Sequence, residues 1–530
     1  MKRIGRRPML KGAGALATLS APAIAADERQ RVLRFIPQID LAFLDPHFSM
    51  TNITRNHGGL VFDQLYGTDA AFKAHPQMAE GHTVEDDGKR WRIRLRDGLK
   101  WHDGTPVLAR DCVASLRRWG GRDVLGREVL AISDEISAPD DRTIQFRLKH
   151  RFPLLPEALG KPGAYMPAMM PERLAMTDPF KQIPEVIGSG PFRYVAAERL
   201  QGVRNVYAKF EGYVPRPQGT PDRGAGPKIV HFERVEWTTM PDVATAFSAL
   251  QKGEQDWWEY AGQDLVPLIK RDRNLRTAVL ETEGNFLFVR FNHLQPPFNR
   301  PEMRRVILRA IQQEDFVAAV GGSDAALQRP GSGFYPPGLP DASDAGMETI
   351  RPRFTHEQAR AALAAAGYRG EKIIQISPGD YPNVKAASEV LGDLLKKIGI
   401  NLDYVSMDWA GMTQRVLKKD NPEAGGFHLH MLNVPCLSVA SPLVNSRLRG
   451  VGAEESGWYS GERYESLRAQ SLQTEDPAER HRLAEELQRE CIATVPQAPC
   501  GVTLQPSAWR ADLEGVLPGV AKFWNVRRSA

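Results

Sequence analysis

Four small groups of residues in this 530-residue chain are of the types that do chemistry. His102 and Asp103 are adjacent, a base and an acid of the kind that pass protons to a substrate. Ser189 stands between Gly188 and Gly190, as an exposed nucleophile would. His428 and His430 are two apart, which on a strand puts both rings on one face, where they could hold a metal. Asp408 precedes Trp409, setting a carboxylate beside a large, rigid contact surface. Each has a simpler reading: a turn for the first two, a half-buried strand for the histidines, helix packing for the tryptophan. The chain carries no G-x-S-x-G elbow, no phosphate loop and no H-E-x-x-H. Gly12–Ala17 fits G-x-G-x-x-A, but no strand precedes it. No catalytic residues and no cofactor are therefore expected.

The elements that must position these residues belong to more than one core, because a single core stops growing well short of this length. Apolar content of 42% and charged content of 25% suit a soluble globular chain. The net charge of +5 invites a nucleic-acid partner. Lys2, Arg3, Arg6, Arg7 and Lys11 supply it from the first 25 residues, and removing them leaves 64 basic against 64 acidic residues, so that partner is excluded. Those 25 residues have a basic head, a short apolar run and Ala23-Ile24-Ala25, an A-x-A cleavage pattern. Arg6-Arg7 resembles a twin-arginine export signal, with Gly5 where Ser is commoner. No Cys stands at the cleavage site, so the mature protein is expected to be soluble and periplasmic, without a lipid anchor. Cys112 reads as a buried thiol, and Cys491 and Cys500, nine apart, leave a disulfide open.

Residues 85–119, EDDGKRWRIRLRDGLKWHDGTPVLARDCVASLRRW, are the most legible stretch. Trp91, Ile93 and Leu95 alternate with arginines as a half-buried strand does. Asp97-Gly98 and Asp103-Gly104 are turn dipeptides. Thr105 and Pro106 look like an N-cap and first helical residue, with Ala109, Cys112, Val113 and Leu116 at helical spacing beyond. Elsewhere the pattern predicts strands at 32–36, 286–291, 400–405, 427–433 and 501–504, and helices at 56–66, 242–252, 387–398 and 478–492. Thr355 and Gln358 form a capping box. Alternating strands and helices in the second half imply an α/β lobe.

The ordered string RDGLKWHDGTP, the block IGSGPFRY and the segment FNHLQPPFNRPEMRRVILRAI resemble the extracytoplasmic solute-binding proteins of the peptide and nickel ABC importers, the dipeptide- and oligopeptide-binding type. The resemblance implies an α/β, two-lobed periplasmic-binding-protein fold with a hinge. Residues 27–285 with 505–530 would form the first lobe, 66–187 its extra subdomain, and 286–504 the second lobe. The protein would act as a monomer, close around a peptide or peptide-like solute and deliver it to the membrane subunits of an ABC permease. The ligand residues it implies are Phe43 in the first cleft loop, Asn292 near the hinge, Trp409 after the strand at 400–405, and Asn433, Val434 and Ser438 in GFHLHMLNVPCLSVASP. In peptide binders of this family an Asp from that last loop meets the ligand's ammonium. Here the acid's place falls on Ser438, with Pro435 the alternative, which favours a neutral or hydrogen-bonding ligand end. A metal-chelate binder using His428 and His430, or a periplasmic hydrolase on the same scaffold, are the rival readings.

Overall fold

The computed structural model describes residues 30–451 and 456–529, so the leader and its cleavage pattern lie outside the described residues. Two mixed sheets carry the molecule. The first has seven strands in the order Leu275–Ala278, Ser507–Arg510, Trp257–Trp258, Val32–Ile36, Arg234–Thr238, Arg204–Lys209 and Phe192–Tyr194. Val32–Ile36 runs parallel to both of its neighbours, and every other pairing is antiparallel. The second has six strands, Gln328–Arg329, Gln497–Thr503, Asn285–Phe291, Leu429–Pro435, Ile373–Pro378 and Leu402–Met407. The chain passes between the sheets twice, through 279–284 and back through 504–506. This is a two-lobed α/β architecture.

Each lobe has its own apolar centre. Phe35 packs edge-on against Trp257 and Phe523, with ring centroids 5.2 and 4.9 Å away. In the second lobe Leu287, Val289 and Phe291 meet the helices Pro301–Ala310, Gln313–Gly321 and Pro382–Lys397. The last of these crosses between the parallel strands Ile373–Pro378 and Leu402–Met407, the connection parallel pairing requires.

A separate antiparallel sheet, Ala79–Glu85, Arg90–Leu95, Thr143–Leu148 and Ser133–Asp140, packs on the helix Ala109–Gly120. Trp91, Ile93 and Leu95 point into it, as their alternation requires. Gly98 and Gly104 take positive φ at the expected turns. The helix starts later than Thr105-Pro106 suggests: Pro106 pairs with Lys100, and the Asp111 carboxylate accepts from Leu108 N at 2.9 Å to cap the helix at Ala109. The helix placed at 56–66 runs instead over Asn52–Val61, and Tyr66 belongs to the strand Tyr66–Thr68. All four cysteines are buried free thiols. No helix among the described residues is long and apolar enough to cross a membrane.

Candidate ligand cavity

The turn at His102-Asp103 positions the helix Asn52–Val61 through the loop at 188–190. His102 Nδ1 accepts from Gly188 N at 3.3 Å, and Nε2 lies 3.0 Å from Gly190 O. Burial pushes this histidine down to about 4, so the ring is a neutral bridge. Asp103 faces away and accepts from the Thr105 hydroxyl at 2.6 Å, so the two adjacent side chains share no proton path. The loop held by His102 lies so close to the helix end that a Cβ at Gly188 would sit 2.1 Å from Val61 O. Ser189 is buried, with Met78 Sδ 3.9 Å from its hydroxyl.

The helix presents Arg55 and Gly59, four residues apart and therefore on one face, to a small cavity of about 40 Å3, room for water-sized groups. The cavity wall also carries Arg223, Lys228, Lys522 and Trp524. One residue from the second lobe closes it, Leu437. The charges are built in pairs. Lys228 Nζ lies 2.6 Å from Asp63, both buried, and 4.8 Å from the Trp524 ring centroid. Arg55 meets Glu281 at 3.3 Å, and Arg223 meets Glu283. Lys522 Nζ lies over Trp524, 5.2 Å from the ring centroid. Gln77 lines the same space: the Tyr213 hydroxyl is close, yet neither amide atom reaches hydrogen-bond geometry with a partner among the described residues.

The six residues expected to contact ligand are not brought together on this wall. Asn292 is fully buried and its side chain is spent on the backbone, donating to Phe427 O at 2.9 Å and accepting from Leu294 N at 3.0 Å. Ser438 donates back to Pro435 O at 2.8 Å, leaving its neighbour Leu437 to face the cavity. Val434 packs with Phe286 and Phe288 in an apolar cluster. The Asn433 carboxamide oxygen is buried without a partner among the described residues. Trp409 is half-buried, edge-on to Tyr381 at 5.1 Å, while Asp408 caps the following helix through Gly411 N. Phe43 is exposed and stacks near Phe48. His428 Nδ1 accepts from Ile374 N at 2.9 Å and its ring also meets the Pro296 carbonyl. His430 Nδ1 lies 3.2 Å from Met431 O, and no metal-holding cluster occurs among the described residues.

Sequence reasoning missed Arg55, Gly59, Leu437 and Lys522. Lys522 left the clearest trace: it is the one charge in Val520-Ala521-Lys522-Phe523-Trp524, an apolar run in which a cation needs a reason.

Two α/β lobes joined by two crossings, with a charged cavity against one residue of the facing lobe, define a bilobal solute-binding protein. The model of the bacterial extracellular solute-binding proteins, family 5 Middle, matches residues 73–432, and the chain belongs to that family. It is 34% identical, over 99% of its length and 100% of the relative's, to a probable peptide ABC transporter periplasmic-binding protein of Sinorhizobium fredii. Two solved structures show the same fold. The PBP AgaA of A. tumefaciens R10 in complex with agropinic acid has a TM-score of 0.77 at 20% identity, covering 94% of this chain and 99% of that one. DppA from Helicobacter pylori in complex with peptide STSA has a TM-score of 0.76 at 18% identity, covering 96% and 100%.

Proposed function

We propose that this protein is the periplasmic binding component of an ABC importer. It captures a peptide-like organic solute between its lobes, catalyses no reaction, and hands the solute to two permease subunits. The observation that carries this reading is the two-lobed fold with its two crossings, shared along the whole chain with a probable peptide-transporter binding protein. The kinship to a probable peptide-transporter component and to folds solved with a peptide and with agropinic acid supports the same class of cargo. Phe43 and Trp409, exposed enough to meet a solute, are proposed as contacts for a ligand that extends past the cavity. The lobes are proposed to be 27–285 with 505–530, and 286–504. Residues 1–25 are proposed as a twin-arginine leader, which exchange of Arg6 and Arg7 for Lys should silence.

Native mass spectrometry of protein recovered from the periplasm tests the reading. A stoichiometric organic solute, released on unfolding, is the expected result. A metal mass that disappears in His428→Ala would replace it with the metal-chelate reading.

A further inference from the structure

The lobes also touch outside the two crossings. The four-stranded sheet and its helices are spliced into the first lobe between Asn52–Val61 and Phe192–Tyr194. They are fastened there by Arg118, on the helix Ala109–Gly120, which meets Asp45 at 2.7 Å with both side chains buried. Against this unit lies the helix Glu462–Gln473, whose Tyr464 and Leu467 root it in the core of the second lobe. Arg468 and Leu472, four residues apart and therefore on one face, reach across to the first lobe. Arg468 donates through Nη1 and Nη2 to the two oxygens of Glu128, on the helix Val124–Ile132, at 2.9 and 2.6 Å. Leu472 is buried in the core under the four-stranded sheet, and Leu443 and Val444 pack on the same core. Arg151 and Glu475, both exposed, meet at 3.6 Å.

The ion pairing is one-sided. The cations within ion-pair distance of Glu128 among the described residues are Arg468 and Arg449, and both come from the second lobe. Arg449 also has a carboxylate in its own lobe, Glu465 at 3.0 Å. Arg468 has only Glu128 among the described residues, and its side chain is 4% exposed. Separating the lobes would strip Glu128 of its cations and Arg468 of its carboxylate, and would bring Leu472 into water. Each of these contacts joins protein to protein, so each favours the closed arrangement by the same amount with or without a solute.

We propose that Glu128 and the helix Glu462–Gln473 form a latch that keeps the lobes shut with no solute bound, so that a solute enters only when the latch opens. The two-pronged bond of a guanidinium to a carboxylate shifts such an equilibrium by about ten- to a hundredfold, and burial of Leu472 adds to it. The proposal goes beyond solute binding and holds whatever the solute is.

Small-angle scattering of the full mature chain tests it, after the protein has been unfolded in urea, dialysed free of any bound molecule and refolded. The stripped wild type should give the radius of gyration calculated from this structure. Glu128→Gln, which keeps the shape of the side chain and removes its charge, should give a larger one, and so should Arg468→Ala, both with the helix content of the wild type by circular dichroism. A stripped wild type as expanded as the variants would overturn the proposal, and so would stripped variants as compact as the wild type. Either result would leave the solute-binding reading standing, because no solute is present in the measurement.

Discussion

Asp63 is the residue whose loss should be felt most. Its carboxylate holds Lys228 at 2.6 Å and accepts from the Tyr213 hydroxyl at 3.2 Å, with both charged partners buried. Asp63→Ala would leave Lys228 unmatched beside Lys522. The expected cost is about 3–5 kcal/mol, read from the urea midpoint at unchanged slope. Lys522 makes a second prediction. Its ammonium titrates near 7 in the folded protein, below its ordinary 10.5, chiefly through burial and then through Lys228 and Arg55. The unfolded chain therefore holds more protons between those two values, and this group's contribution to stability rises with pH across that window, its penalty being complete below 7. Lys522→Met removes the titrating group, so the variant should lose that part of the rise. Melting temperature followed from about pH 7 to 10 in both proteins measures it, and parallel curves would contradict it. Residue-scale chemistry was the least legible in the sequence. The cavity gathers Arg55, the pair Arg223 and Lys228, and Lys522 from three distant stretches of the chain, and no spacing rule brings them together. The residues picked from the sequence were the ones next to strand ends, where Asn292 and Ser438 turn out to serve the backbone.

Elements were read more reliably, for physical reasons that can be located. The alternation at Trp91, Ile93 and Leu95 and the reciprocal cap of Thr355 and Gln358 are local signals, and both are present as drawn. The start of the helix Ala109–Gly120 depends on distant groups. Asp111 caps it while also accepting from Trp101 Nε1 at 3.2 Å and Glu172 N at 2.9 Å, which Thr105-Pro106 could not reveal. The helix Asn52–Val61 was misplaced because Arg55, Asn56 and His57 are buried polar residues, which blur its apolar stripe. One contact between elements bears on closure. Arg468, on the helix Glu462–Gln473, grips Glu128, on the helix Val124–Ile132, through two bonds of 2.9 and 2.6 Å, and Leu472 enters the core under the four-stranded sheet. Arg468→Ala should weaken this apposition by about 1.5–3 kcal/mol. Small-angle scattering should then show a larger radius of gyration than wild type, while the two proteins keep the same helix content.

At the scale of the whole molecule, two crossings at 279–284 and 504–506 are the only backbone between the two large sheets among the described residues. Relative motion of the lobes can be confined to them. A solute present at a hundred times its Kd should stabilise the protein by about 2.7 kcal/mol, read as a rise in melting temperature with solute concentration. The return crossing has a further consequence. The last stretch of chain supplies the strand Ser507–Arg510, which joins Leu275–Ala278 to Trp257–Trp258, and then Lys522 and Trp524. A chain cut before Ser507 would leave Leu275–Ala278 with no strand to pair with and would lose Phe523 and Trp524 from the first lobe's buried centre. The first lobe is thus closed only by residues that follow the whole of the second, so its sheet can be completed only after the second lobe has been made.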